Sequence, residues 1–250
     1  MYFAGMSSYD VLIIGGGPIG IACGIAAKKA GLNYVIIEKG CIVNSLYNYP
    51  VQMTFFSTPE RLEIGNIPFM SLYNKPNRQE AVEYYRRVVQ LHHISLQLFE
   101  KVLQVENTGN HLFLVHTSRN KYTTRNVVVA TGFYDIPNLL NIPGEGLSKV
   151  THYYNDPHYY ALQKVAVIGG NNSAVDAALE TWRKGAEVTM VMREEDIGQR
   201  VKYWVRPDIV NRIAEGSIKV YTGSVITNIR SNEIDILTAG RCITIENNFV

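Results

Sequence analysis

Apolar and polar positions along this chain follow one plan, used twice. Residues 10–14 (DVLII) form an apolar run with the length and β-branched content of a buried strand. Gly15-Gly16-Gly17-Pro18-Ile19-Gly20 follows, and then IACGIAAKKA, an apolar helical pattern stopped by Gly31. NYVIIEK is a second strand, ending at Glu38. Strand, glycine turn, helix and strand make the β-α-β unit from which parallel sheets are built. The plan returns at residues 164–168 (KVAVI), where Gly169-Gly170-Asn171-Asn172-Ser173-Ala174 opens a helix (SAVDAALETWRK) stopped by Gly185. EVTMVM then forms a strand that ends at Arg193. Gly15 maps onto Gly169 and Gly31 onto Gly185 with the same offset of 154 residues. A register kept through four elements is stronger evidence than either turn alone.

The two halves continue alike. Asn77 to His93 predicts an amphipathic helix, with Asn77 placed to cap it and Glu80 in its first turn. Pro207 to Ala214 is its counterpart, begun by Pro and followed by Gly216. SLQLF at 95 matches SIKVY at 217. VLQVEN, HLFLVHT and KYTT alternate like the strands of a meander, and VITNIR, EIDILT and RCITI do so in the second half. A buried strand, Val127 to Val129, runs into Ala130-Thr131-Gly132; Phe249-Val250 stands at the equivalent place of the second half. The expected fold is α/β, with two Rossmann-like three-layer domains of meander, parallel sheet and helices. Residues 1–147 form the first domain and 148–250 the second, which is inserted into the first. On this reading the chain ends inside the last strand of the second domain, and a later segment completes the first sheet.

The glycine turns carry the chemistry. Gly15 suits the tight turn, Gly17 lets backbone approach a pyrophosphate, and Gly20 lets the helix pack close to the strand. Phosphates would sit on the helix N-terminus, where free N–H groups and the helix dipole favour negative charge. Glu38 lies 23 residues after the first glycine, where an acidic group suits a ribose diol. In the second turn Asn171 replaces the middle glycine and Ala174 the last. Ala still allows close packing, and Asn tolerates left-handed backbone and could meet a phosphate directly. Arg193 occupies nearly the position of Glu38, 24 residues after its first glycine. A carboxylate there accepts from a 2′-hydroxyl and repels a 2′-phosphate, while a guanidinium does the opposite. The first site should therefore take FAD or NAD, and the second should prefer NADP, with Arg200 and Lys202 available to add to it.

Composition narrows the class. With 46% hydrophobic and 18% charged residues among 250, the chain has material for one or two buried cores. A formal net charge of +2 with scattered Lys and Arg predicts no nucleic-acid partner. No apolar run reaches membrane-spanning length, and residues 1–10 lack the pattern of a signal peptide. A cytoplasmic enzyme with no membrane partner is expected. Cys23, Cys41 and Cys242 are far apart, with no CxxC pair and no metal-ligand spacing, so neither a disulfide framework nor a metal site is expected.

The two nucleotide folds, Ala130-Thr131-Gly132 at a strand end and Ile142-Pro143-Gly144 after it resemble the two-dinucleotide-binding flavoproteins. More narrowly, EKGCIVNSLYNYP (38–50), TFFSTPERLEIGNIPF (54–69), THYYNDPHYY (151–160) and GGNNSAVDAALE (169–180) are similar to the thioredoxin-reductase-like flavoproteins that reduce bacillithiol disulfide. The resemblance implies FAD in the first site and NADPH in the second. It places FAD contacts at Gly15, Gly17, Pro18, Ile19, Gly20, Glu38, Lys39, Asn44, Tyr47, Asn48, Val102, Thr131 and Gly132. NADPH contacts would come from Gly169, Gly170, Asn171, Asn172, Ser173, Ala174 and Arg193. It also implies a homodimer, a small-molecule or small-protein electron acceptor, and domains that rotate about residues 145–163. His152 and His158 fall in that stretch, where a hinge or packing role is expected. Close relatives carry a Cys directly after the Pro of the first turn, and here that position is Ile19. No catalytic residue is assigned. Cys23 is expected to pack between helix and sheet, and Cys41 to be a free surface thiol. Two other readings stay open: an NADPH-dependent flavin or ferredoxin-type reductase, and a non-catalytic nucleotide-binding flavoprotein.

Overall fold

The computed structural model describes residues 7–109 and 111–250. They pack as two compact units, one ending at Ile136 and the other spanning Pro137–Val250.

The first unit opens with β1 (Ser7–Ile14), α1 (Pro18–Lys29) and β2 (Tyr34–Ile37), then a single turn α2 (Asn44–Tyr47). Next come α3 (Arg78–His92), β3 (Leu96–Gln97) and the meander β4 (Val102–Gly109), β5 (Leu112–Thr117) and β6 (Lys121–Val129). The sheet order is β3-β2-β1-β6-β5-β4. β3, β2, β1 and β6 run parallel, while β5 and β4 continue the sheet antiparallel. Leu12 and Ile13 are both fully buried because the sheet is covered on both faces. Ile13 packs with Ala27 of α1, Tyr34 and Ile36, and Leu12 packs on the other face with Val35, Ile37, Val115 and Tyr122. The predicted cap of α3 is present: the Glu80 N–H donates to Asn77 Oδ1 at 2.9 Å, and the Asn77 N–H donates to Glu80 Oε2 at 2.9 Å.

KYTT and the apolar run at Val127 belong to one strand. β6 pairs with β1 along its length and with β5 only from Lys121 to Thr124. Arg125 and Asn126 lie where it leaves β5 and are exposed, so the hydrophobic run is interrupted there although the strand is not.

The second unit repeats the order with β7 (Lys164–Ile168), α4 (Asn172–Arg183), β8 (Glu187–Val191), α5 (Arg206–Ala214) and β9 (Lys219–Tyr221), a parallel sheet in the order β7-β8-β9. β10 (Val225–Ile229), β11 (Glu233–Thr238) and β12 (Arg241–Glu246) form a separate antiparallel meander. One apolar cluster joins β7 and β8 to α4 and α5 through Val165, Val188, Met190, Val175, Leu179 and Ile209. Another joins the same strands to the meander through Ala166, Val191, Ile226, Ile234 and Ile236. These are the three expected layers. Phe249 pairs in parallel with Val165 beside β7.

Packing divides the chain at 136/137, before the 147/148 boundary expected from sequence. The intervening residues hydrogen-bond within the second unit: the Ile229 N–H donates to the Pro143 carbonyl at 2.9 Å. Gly144 (φ +83°) lies so close to β10 that a Cβ there would overlap the Ile229 carbonyl.

Candidate functional site

In the first unit the Gly15 N–H donates to the Ile37 carbonyl at 2.8 Å, which turns the chain off β1. Gly15 has φ +110°, and a Cβ there would run into the Ala130 carbonyl; a Cβ on Gly20 would overlap the Gly15 carbonyl oxygen. Strand, turn, helix and the Ala130-Thr131-Gly132 segment thus meet at van der Waals distance. Gly17 is different: it is the extended N-cap of α1, and a Cβ there would meet nothing within 4 Å. No side chain caps α1, so its first N–H groups face this space with the positive end of the helix dipole. Gly15 thus makes the tight turn and Gly20 the close packing, and the open space over Gly17 is compatible with a pyrophosphate.

Glu38 directly follows β2 and is only 6% exposed. Its Oε2 accepts from the Gly16 N–H at 2.7 Å and its Oε1 from the Gly40 N–H at 2.9 Å. Each oxygen keeps a lone pair for a further donor, which suits a ribose diol. The Glu38 carbonyl accepts the Glu100 N–H at 2.9 Å, placing the start of β4, with Val102, near the same strand end. Lys39 pairs with Asp135, just beyond Gly132. Asn44 opens α2 and accepts at its carbonyl from Asn48 Nδ2 at 2.8 Å. The Tyr47 ring lies 5.3 Å from the Arg78 guanidinium. Ile19, 68% exposed, is the second residue of α1. Cys23 packs at the helix–sheet cluster, as expected. Cys41 is half-buried rather than a surface thiol, and burial pushes its pKa up, opposite to what activates a thiolate.

The second unit holds a cleft of about 710 Å³ over the equivalent turn. The Gly169 N–H donates to the Val191 carbonyl at 2.9 Å, and Gly169 has φ +109°, matching Gly15. Asn171 is the N-cap with φ −98° and ψ −177°, an extended conformation open to any residue. The left-handed tolerance of Asn is therefore not used. Ala174 lies 3.6 Å from where a Gly169 Cβ would stand, so methyl and glycine fill the space together. Arg193 and Arg200 are exposed and line the cleft, with Glu194 beside them. Lys202 does not join them. Its ammonium is buried against Asp176 Oδ2 at 2.7 Å and so is spent inside the unit.

One feature escaped the sequence reading. Glu145 accepts the Leu140 and Asn141 N–H groups at 2.7 Å each, and its Oε1 lies 2.9 Å from His152 Nε2. The pair clamps residues 138–142, which form one wall of the cleft. His152 is thus a hydrogen-bond partner of Glu145, and nothing in local spacing announces a bond seven residues apart. The Leu140 N–H first, and then His152, hold the Glu145 carboxyl below its ordinary pKa. A depressed folded-state pKa contributes stability that is present above the unfolded carboxyl value and lost as pH falls through the folded one. Glu145→Ala is therefore expected to melt below the wild type at neutral pH. That gap should close as pH drops below about 4. Paired melting curves across pH check this, and a gap independent of pH would contradict it.

Among the described residues, no helix is long and apolar enough to cross a membrane. Residues 12–250 match the profile of a family described as "Pyridine nucleotide-disulphide oxidoreductase". The chain is 43% identical to "Bacilliredoxin reductase Bdr" of Bacillus subtilis (strain 168) over 98% of its own length and 76% of that protein. Among solved structures it is similar to "Bacillithiol Disulfide Reductase Bdr (YpdA)" from Staphylococcus aureus, with TM-score 0.96 and 39% identity over 98% of this chain and 76% of that one. The Bacillus cereus protein of that title matches with TM-score 0.95 and 41% identity over the same shares.

Proposed function

The chain belongs to the pyridine nucleotide-disulphide oxidoreductase family, and on that premise we propose that it is an NADPH-dependent flavoprotein that reduces a low-molecular-weight thiol disulfide such as bacillithiol disulfide. FAD and NADPH are its cofactors, FAD in the unit ending at Ile136 and NADPH in the unit Pro137–Val250. The observation that carries this division is the contrast between the two strand ends. Buried Glu38 presents a carboxylate at the first, while Arg193 and Arg200 present exposed guanidinium groups on the cleft at the second. The first favours a ribose diol and the second a ribose phosphate.

With both cofactors bound, the chemistry supplied would be two-electron transfer from NADPH by way of the flavin to the disulfide: NADPH, one proton and RSSR would become NADP⁺ and two RSH. The protein's own contribution is position and field. The N-terminus of α1 would hold the pyrophosphate, Glu38 would orient the ribose, and the turn at the start of α4, with Arg193 and Arg200 from the loop after β8, would hold the second nucleotide. A cytoplasmic location is part of this proposal, and cell fractionation would read it. A homodimer is the assembly implied by the resemblance, and light scattering would read it.

Anaerobic titration tests the reading. The flavin band of the purified protein is expected to bleach faster with NADPH than with NADH, and to recover on adding oxidised bacillithiol. Ile19→Cys, which puts a thiol at an exposed position of α1, is expected to speed that recovery, because a thiol there can act as a nucleophile toward the disulfide. Recovery with ferredoxin but not with the disulfide would replace the acceptor. A flavin that binds yet never bleaches would leave only a nucleotide-binding protein.

A further inference from the structure

The loop that follows β8 has little regular structure, yet residues 197–202 are fastened to the start of α4 at three levels. The Gly198 N–H donates to the Gly170 carbonyl at 3.3 Å. Asn172, the first residue of α4, uses both ends of its amide: Nδ2 donates to the Arg200 carbonyl at 3.0 Å, and Oδ1 accepts from the Lys202 N–H at 2.8 Å. One turn further along, Asp176 takes the Lys202 ammonium at 2.7 Å. Val201, between the two residues held by Asn172, is 4% exposed and packs into the apolar cluster beneath. The outcome is a rigid backbone at residue 200 that bears an exposed guanidinium on the cleft.

We infer that Asn172 is a positioning residue for nucleotide choice: it holds the backbone of Arg200 so that its guanidinium joins Arg193 in recognising a phosphate on the ribose. The inference rests on the NADPH reading above and gives Asn172 a role different from direct contact with the pyrophosphate. Fixing backbone beforehand matters here because Arg loses much rotamer freedom when its head is immobilised. A loop left loose would add the ordering of its own backbone to that cost.

The test needs no flavin. Calorimetric titration of the chain with adenosine 2′,5′-bisphosphate and with 5′-AMP isolates the 2′-phosphate. The wild type is expected to prefer the bisphosphate. Asn172→Ala should weaken the bisphosphate about tenfold, the loss expected for two neutral hydrogen bonds, and 5′-AMP less than about twofold. Asn172→Ser, which keeps a residue suited to a helix first turn, should behave alike and guards against loss of the helix. In an Arg200→Ala background, adding Asn172→Ala should change bisphosphate binding less than about twofold, because the two act as a unit. Equal losses for both ligands, or a loss that persists without Arg200, would overturn the inference while leaving the NADPH reading in place. A wild type with no preference for the bisphosphate overturns that reading and the inference with it.

Discussion

Gly20→Ala protein is expected to purify colourless, with FAD affinity reduced at least about 100-fold. A Cβ at Gly20 would overlap the carbonyl oxygen of Gly15, which is backbone and has no rotamer to yield. Relief requires α1 to move off β1, and overpacking of this kind costs about 1–3 kcal/mol or more. The same movement carries away the free N–H groups of the first helical turn, which are aimed by this contact and lose strength steeply when misaligned. Together these exceed the roughly 2.7 kcal/mol that corresponds to 100-fold. Gly146→Ala is the matched control, since a Cβ there meets nothing within 4 Å. Flavin absorbance after purification and a fluorescence titration with FAD measure the effect. A yellow Gly20→Ala protein with normal affinity would show that the pyrophosphate is not held on α1.

The second large effect concerns the other nucleotide. Arg193→Ala with Arg200→Ala should raise KM for NADPH about 100-fold and leave KM for NADH within about threefold. On the proposed reading each guanidinium would make a charge-assisted contact with a doubly charged phosphate, worth about 1.5–3 kcal/mol before exposure is counted. Both side chains are exposed, so about 1.4 kcal/mol each, tenfold apiece, is the appropriate figure. For the same reason the wild-type KM for NADPH should climb with ionic strength more steeply than that for NADH, since salt screens exposed charges. Steady-state kinetics in both nucleotides, at low and high salt, decide this. A double variant that loses NADPH and NADH alike would place the arginines at the pyrophosphate instead of the ribose.

Much of this protein was legible in its sequence, because the informative features are local. The tight turns at Gly15 and Gly169 demand residues free to adopt positive φ, and the strands and helices around them are marked by the periods of their apolar positions. The two charges that separate the sites, Glu38 and Arg193, come at a set distance along the β-α-β unit, so counting residues finds them. The capping box of α3 spans four residues, Asn77 to Glu80, and was equally visible.

Tertiary structure decided the matters that join distant positions. Lys202 looked like a third phosphate ligand until Asp176, 26 residues away, was found to hold it. Asn172 looked like part of a phosphate turn, and its side chain proved to grip backbone at residues 200 and 202. β6 runs through a polar interruption because β1 continues to pair with it. The Glu145–His152 clamp closes across a turn that carries no periodic pattern. In each case a side chain's role depends on which partner the fold brings within 3 Å, and composition and spacing along the chain do not encode that distance. The sequence by itself determined that two glycine turns exist and which charge follows each; the packed structure determined that Arg193 and Arg200 are exposed on the second cleft while Lys202 is held by Asp176.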